Sequence, residues 1–153
     1  MSDAIPPANA APDFPPPSGY AKFETELQVR PDDIDMYQHV HSSRYMDYVL
    51  AARFDQMGRC YRMPMSEFQQ RGFGWFMAGA GMNFKRPLQL GDRFSVRTWV
   101  ERFTAIGVKV AFQIERLPDR KLCSDGSFDY VMVSTESGRP VRLPPEIRSK
   151  YEI

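Results

Sequence analysis

From Arg44 to Arg59 the chain reads RYMDYVLAARFDQMGR, and this segment narrows the choice of fold more than any other. Arg44, Asp47, Ala51, Asp55 and Arg59 follow one another at steps of three and four, which puts them on a single stripe of a 3.6-residue helix. Tyr45, Met46, Tyr48, Val49, Leu50, Ala52, Phe54 and Met57 cover most of the remaining circumference. An ordinary surface helix carries a wider polar face, so this one is expected to be wrapped by other structure and buried almost all round. Ser42 or Ser43 is placed to cap its first amides, and Gly58 to take the left-handed position after its last turn. Arg53 and Gln56 sit among the apolar residues and must snorkel, pair, or face a subunit boundary.

The wrapping material is strand. AKFETELQVR alternates, with Phe23, Thr25, Leu27 and Val29 against Lys22, Glu24, Glu26 and Gln28. After a polar connector with a short helical turn at 61–72, the segment GFGWFMAGAGMNFKRP is apolar and glycine-rich, which favours a strand with a bulge over a helix. Turns at Pro87 and Gly91-Asp92 lead into RFSVRTWVERF and IGVKVAFQIERL, both alternating, and Pro118-Asp119-Arg120 leads into a last long strand, KLCSDGSFDYVMVS. The ending, SGRPVRLPPEIRSKYEI, reads as a glycine turn and a proline-punctuated tail. One long early helix followed by antiparallel strands gives an α+β domain, a sheet curled round a helix. Residues 1–19, with Pro6, Pro7, Pro12, Pro15, Pro16 and Pro17, read as an extended tail before a single domain over 20–153.

Composition removes several function classes. A net charge of +1 gives no electrostatic case for nucleic acid or an anionic membrane surface, and no apolar run approaches the roughly 20 residues that span a bilayer. The N-terminus lacks the basic start and apolar core of a secretory signal, and Cys60 and Cys123 are read as reduced thiols in a cytoplasm. No serine-hydrolase elbow, phosphate-binding glycine loop or cysteine-pair zinc pattern is present.

The chemistry-bearing residues collect just before the helix. Asp32, Asp33 and Asp35 and both histidines, His39 and His41, lie between Arg30 and Ser42. His39 and His41 with Asp35 are zinc-type donors, but there is no third histidine, so the loop is read as metal-free and cofactor-free, with the histidines holding it by hydrogen bonds. Asp32 and Asp33 read as solvated turn residues after Pro31. Asp35, flanked by Ile34, Met36 and Tyr37, is the candidate nucleophile or general base, with burial expected to raise its pKa; the competing reading is that it only pins the loop. The first amides of the helix, around Ser42, can hold a developing oxyanion. Lys85, Arg86 and Lys109 are scattered bases able to meet phosphates, and Arg86 is kept as a substrate-binding candidate.

DIDMYQHVHSSRYMDYVLAAR, residues 33–53, resembles the signature of hotdog-fold acyl thioesterases of the 4-hydroxybenzoyl-CoA thioesterase and acyl-ACP thioesterase kind, which runs loosely D-x-D-x-x-x-H-V-N-x-x-x-Y. NFKRPLQLGDRFSVRTWVERF and SGRPVRLPPEIR resemble that family's later strands and ending, so the similarity spans about 22–148. The resemblance implies a hotdog fold and hydrolysis of an acyl-CoA or acyl-carrier-protein thioester without cofactor. It places the catalytic carboxylate on Asp35, the oxyanion amide near Ser42, the motif histidine at His39 and the site-lining tyrosine at Tyr45. Gln38 stands where the family usually has glycine, and His41 where it usually has asparagine. A homodimer or homotetramer is implied, with sites at the subunit boundary, which makes Phe76 and Met77 acyl-pocket candidates. A hotdog module that binds acyl-CoA without hydrolysing it is the alternative. A hydratase would need a differently placed His and acid pair that the sequence lacks.

Overall fold

The computed structural model describes residues 20–153, so the expected tail at 1–19 lies outside the described residues. Five antiparallel strands form one sheet: β1 (Lys22–Gln28), β2 (Phe73–Phe84), β3 (Arg93–Phe103), β4 (Gly107–Leu117) and β5 (Lys121–Ser134), in the spatial order β1-β3-β4-β5-β2. β1, β3 and β4 follow the alternating segments of the sequence, β2 the glycine-rich segment and β5 the segment after the Pro118 turn. β2 carries its bulge between Met77 and Gly79. The helix α1 (Ser42–Arg59) lies against β1 and β3, α2 (Met65–Gln70) fills the connector, and α3 (Pro145–Tyr151) closes the chain. This is the α+β arrangement that one long helix and alternating strands require.

Three local expectations are corrected. The ending at 141–153 is not a plain tail, because Pro145–Tyr151 is helical and buries Ile147 and Tyr151 against Met63, Phe68 and Val110. Gly58 does not end α1: the helix runs to Arg59, and the left-handed residue beyond it is Arg62, with φ +59°. A side chain at Gly58 would instead touch Pro64. Finally, α1 is not buried all round within the chain. Tyr45, Tyr48, Val49, Ala52, Arg53, Gln56 and Met57 are buried, while Leu50 and Phe54 are 39% and 64% exposed. The helix lies mainly over β1 and β3, and its Leu50 and Phe54 side borders an open cavity that Trp75 and Met77 of β2 also line.

The residues that the apolar pattern left unexplained anchor the helix. Gln56, fully buried, donates to the Thr25 hydroxyl at 3.0 Å and to the Val96 carbonyl at 3.4 Å, and accepts from the Thr98 hydroxyl. Asp55 accepts from Thr25 at 2.7 Å and pairs with Arg59, which also donates to the Glu24 carbonyl at 2.8 Å. These bonds tie α1 to β1 and β3 at a fixed register. Toward the helix start, Tyr45, Tyr48, Val49 and Ala52 pack with Val40, Leu88, Phe94 and Phe128.

Between β1 and α1 the chain forms a narrow loop. Ile34 bridges Val40, Asp35 N–H donates to the His39 carbonyl at 2.8 Å, and His41 N–H donates to the Asp33 carbonyl at 2.9 Å. Its tip turns through Gln38, at φ +68°, a conformation that costs a residue with a Cβ about 1–2 kcal/mol.

Two stability outcomes follow. Gln56→Leu takes the acceptor from the buried Thr98 hydroxyl and one donor each from Thr25 and the Val96 carbonyl, and is expected to cost about 2 kcal/mol, read from the denaturant midpoint at unchanged slope. Gln38→Gly is expected to add about 0.5–1 kcal/mol, after glycine's extra chain entropy is subtracted, and to raise Tm by a few degrees in calorimetry.

Candidate active site

The loop and the helix start enclose a pocket lined by Asp35, His39, Val40, His41, Ser42, Tyr45, Phe84, Lys85, Arg86 and Pro87. Seven of the residues singled out in the sequence therefore meet at one place: Asp35, His39, His41, Ser42, Tyr45, Lys85 and Arg86. Phe84, Lys85 and Pro87 come from the end of β2 and the turn after it, and the residues before α1 give no signal of their approach.

Asp35 is half-buried, and its two oxygens differ. Oδ1 accepts the Tyr37 N–H at 2.8 Å and the His39 N–H at 3.2 Å, while Oδ2 has no hydrogen-bond partner among the described residues. The loop amides thus orient the carboxylate without saturating it.

His41 is the cap of α1, a correction to the serine caps. Its Nδ1 accepts the Ser43 N–H at 3.2 Å and lies 2.8 Å from the Ser43 hydroxyl. A ring nitrogen that accepts an amide carries no proton, so neutral His41 holds its hydrogen on Nε2, toward solvent. Ser42 is the first residue of the helix, where an amide has no carbonyl one turn back to bond. With Ser43 capped by His41, the Ser42 N–H lies at the positive end of α1 beside Asp35. His39 is held by a backbone bridge to Gln89. Tyr45 is buried, its hydroxyl accepting the Leu88 N–H at 3.1 Å, and burial pushes that hydroxyl's pKa up.

Asp33 corrects the reading of the acidic cluster. It is 1% exposed and accepts the Tyr48 hydroxyl on Oδ2 at 2.6 Å, with the Arg30 and Arg44 guanidinium groups 3.6 and 3.7 Å away. Burial opposes its charge, but the Tyr48 hydroxyl and Arg30 outweigh that and hold its carboxyl below the ordinary carboxylate range. A buried tyrosine hydroxyl needs a partner, and that need is the sequence cue to Asp33. Among the described residues, no three of His, Cys, Asp and Glu are grouped as metal ligands would be.

Phe76 lines neither this pocket nor the cavity beside the middle of α1; it is 62% exposed on β2. Met77 lines a second cavity, of about 330 Å³, which lies beside the middle of α1 between Leu50, Phe54, Met57, Trp75 and Tyr130. The two cavities share no lining residue.

The fold and sequence both have relatives. A dihydroxynaphthoyl-CoA (DHNA-CoA) thioesterase from Staphylococcus aureus superposes with a TM-score of 0.79 at 19% identity, over 85% of this chain and 88% of its own. A 1,4-dihydroxy-2-naphthoyl-CoA thioesterase from Synechocystis superposes with a TM-score of 0.77 at 17% identity, over 86% and 96%. The architecture is the hotdog fold. In sequence, the long-chain acyl-CoA thioesterase FadM of Escherichia coli is 22% identical over 85% of this chain and 97% of its own length. The chloroplastic acyl-acyl carrier protein thioesterase ATL3 of Arabidopsis thaliana is 27% identical over 87% of this chain and 70% of its own. The sequence model of the Thioesterase-like superfamily matches residues 29–151, and this chain belongs to that superfamily.

Proposed function

We propose that this protein hydrolyses acyl-CoA thioesters at the pocket between the 33–41 loop and the start of α1. One observation carries the reading: a carboxylate with one unbonded oxygen, Asp35 Oδ2, shares a pocket with an uncapped helix-start amide, that of Ser42. Asp35 attacks the thioester carbon, or takes a proton from the attacking water. The Ser42 N–H and the positive end of α1 stabilise the charge that develops on the thioester oxygen. In the first route an acyl anhydride forms as the thiolate leaves, and water then returns the carboxylate and releases the acid. His39 and His41 hold the loop and the helix cap, Tyr45 bounds the acyl side, and Arg86 and Lys85 meet the phosphates of the carrier. Named activities of the relatives, acyl-CoA for FadM and acyl-carrier protein for ATL3, support a thioester of one of these carriers.

The working unit in this reading is a homodimer or a pair of dimers. β2 is a 12-residue edge strand with exposed Phe76 and Phe84 on an unpaired side, an arrangement that invites edge-to-edge pairing. Pairing two copies there carries Phe76 of each toward the Asp35 pocket of the other. Among the described residues no helix is long and apolar enough to cross a membrane, and the two thiols are free, so we place the protein in the cytoplasm.

Thiol release from short, medium, long and aromatic acyl-CoAs tests the chemistry directly. Asp35→Ala is expected to lower kcat by about 10²–10⁴-fold with the oligomer intact. Undiminished turnover would remove Asp35 from the reaction, and binding without release by the natural protein would leave a binding module. Ala80→Lys, which puts a charge on the open edge, is expected to shift sedimentation toward monomer and to lower activity with it. A monomeric natural protein that is fully active rules out the shared-site arrangement.

A further inference from the structure

The cavity beside the middle of α1 contains a charge that has no carboxylate partner among the described residues. Arg53 is 7% exposed and forms part of its wall. Among the described residues no carboxylate lies within ion-pair reach of its guanidinium. Its contacts are the Thr98 hydroxyl at 3.4 Å and the face of the Tyr61 ring, 5.4 Å away. A guanidinium has five N–H donors and keeps its charge in any protein setting, and an ion held out of water without a partner is costly. Tyr61, Tyr130 and Tyr151 feel that charge, but burial pushes all three hydroxyls up, so none supplies an anion near neutral pH. Leu50 and Phe54 frame the open side of the cavity, and the wall beyond them is apolar.

We propose that this cavity binds an unbranched, medium-chain fatty acid, its carboxylate on the Arg53 guanidinium and its hydrocarbon along Met57, Trp75 and Met77. Charge complementarity selects the head group, because a carboxylate accepts two parallel bonds from a guanidinium and restores the missing counter-charge. Size selects the chain: about 330 Å³ is at the lower end of the roughly 300–1,000 Å³ range of ligand cavities. The flexible methionines fit a chain of no fixed shape. The site shares no lining residue with the Asp35 pocket, so it stands independently of the hydrolytic reading. A fatty acid is also what hydrolysis of a fatty acyl thioester releases, and the cavity would hold that acid apart from Asp35.

Trp75 lines the cavity, whereas the other tryptophan, Trp99, lies under Lys22 on β3, so tryptophan fluorescence reports occupancy. Decanoate, decanol and decyltrimethylammonium are titrated into the full chain below their micelle concentrations. Decanoate is expected to bind about 10–100-fold more tightly than decanol, and the cation most weakly. Arg53→Met is expected to erase the preference for decanoate, keep decanol binding, and melt no lower than the natural protein, since it removes an unpaired charge from an apolar wall. Arg53→Lys is expected to keep part of the preference. Equal affinity for decanoate and decanol in the natural protein overturns the proposal, as does a preference that survives Arg53→Met. Self-association that Arg53→Met abolishes, without decanoate binding in the natural protein, also overturns it and assigns the counter-charge to a second copy. Should Arg53→Met fail to fold, the three probes on the natural protein and on Arg53→Lys still decide. Thiol release measured alongside separates this outcome from that of the Asp35 site.

Discussion

Two polar clamps fix α1, one to the loop before it and one to the sheet, and everything else in the molecule is arranged around them. Apolar packing alone lets a helix slide or roll on a sheet, because it is non-directional. Tyr48 to Asp33 at one end and Gln56 to Thr25, Thr98 and Val96 at the other remove that freedom. Each clamp is directional because its groups are buried and have no water to turn to. The helix start is thereby held at a set distance from the loop, and the helix middle at a set height above the uncovered half of the sheet. Both cavities are consequences of that placement.

The clamp at Asp33 also reaches the loop itself. The same residue accepts the Tyr48 hydroxyl through its side chain and the His41 amide through its carbonyl. One end of the loop is thus pinned to the buried side of α1 and to the cap of the helix at once. The second rung, Asp35 to His39, then has little freedom left, and Gln38 absorbs the turn in a conformation costly for its side chain. Strain at a loop tip persists only where the surrounding bonds over-determine the path, and here they do.

Much of this was legible in the sequence. Alternation located β1, β3 and β4, because side chains that face a core on one side only repeat every second residue, while glycine content and turn residues located β2 and β5. The stripe from Arg44 to Arg59 located α1, and the crowding of acids and histidines before Ser42 located the pocket. What escaped were features decided by groups distant in sequence. The cap fell to His41 because its ring, unlike Ser42 or Ser43, stands one residue before the helix. Asp33 looked solvated because Tyr48 is fifteen residues away. The exposure of Leu50 and Phe54 depends on which half of the sheet the helix covers, and α3 was masked by the prolines around it, although proline at the first turn of a helix is well tolerated. Arg53 stands out of place in the apolar pattern of α1, and its lack of a carboxylate partner among the described residues depends on groups distant in sequence.

A carboxylate and an oxyanion site are awkward neighbours, since the amide that should receive the developing charge would also bond the resting carboxylate. The division of labour within Asp35 resolves the conflict. Its Oδ1 is occupied by two loop amides, Tyr37 and His39, which aim the group without help from the helix. The His41 ring meanwhile takes the Ser43 amide, so the cap is closed by a ring nitrogen rather than by the Asp35 carboxylate. Oδ2 and the Ser42 amide are therefore left facing the same pocket with their capacities unspent. A thioester carbonyl brought between them would meet an acceptor-rich oxygen at its carbon side and a donor at its oxygen side. That polarity matches the charge shift of the acyl transfer proposed for this pocket.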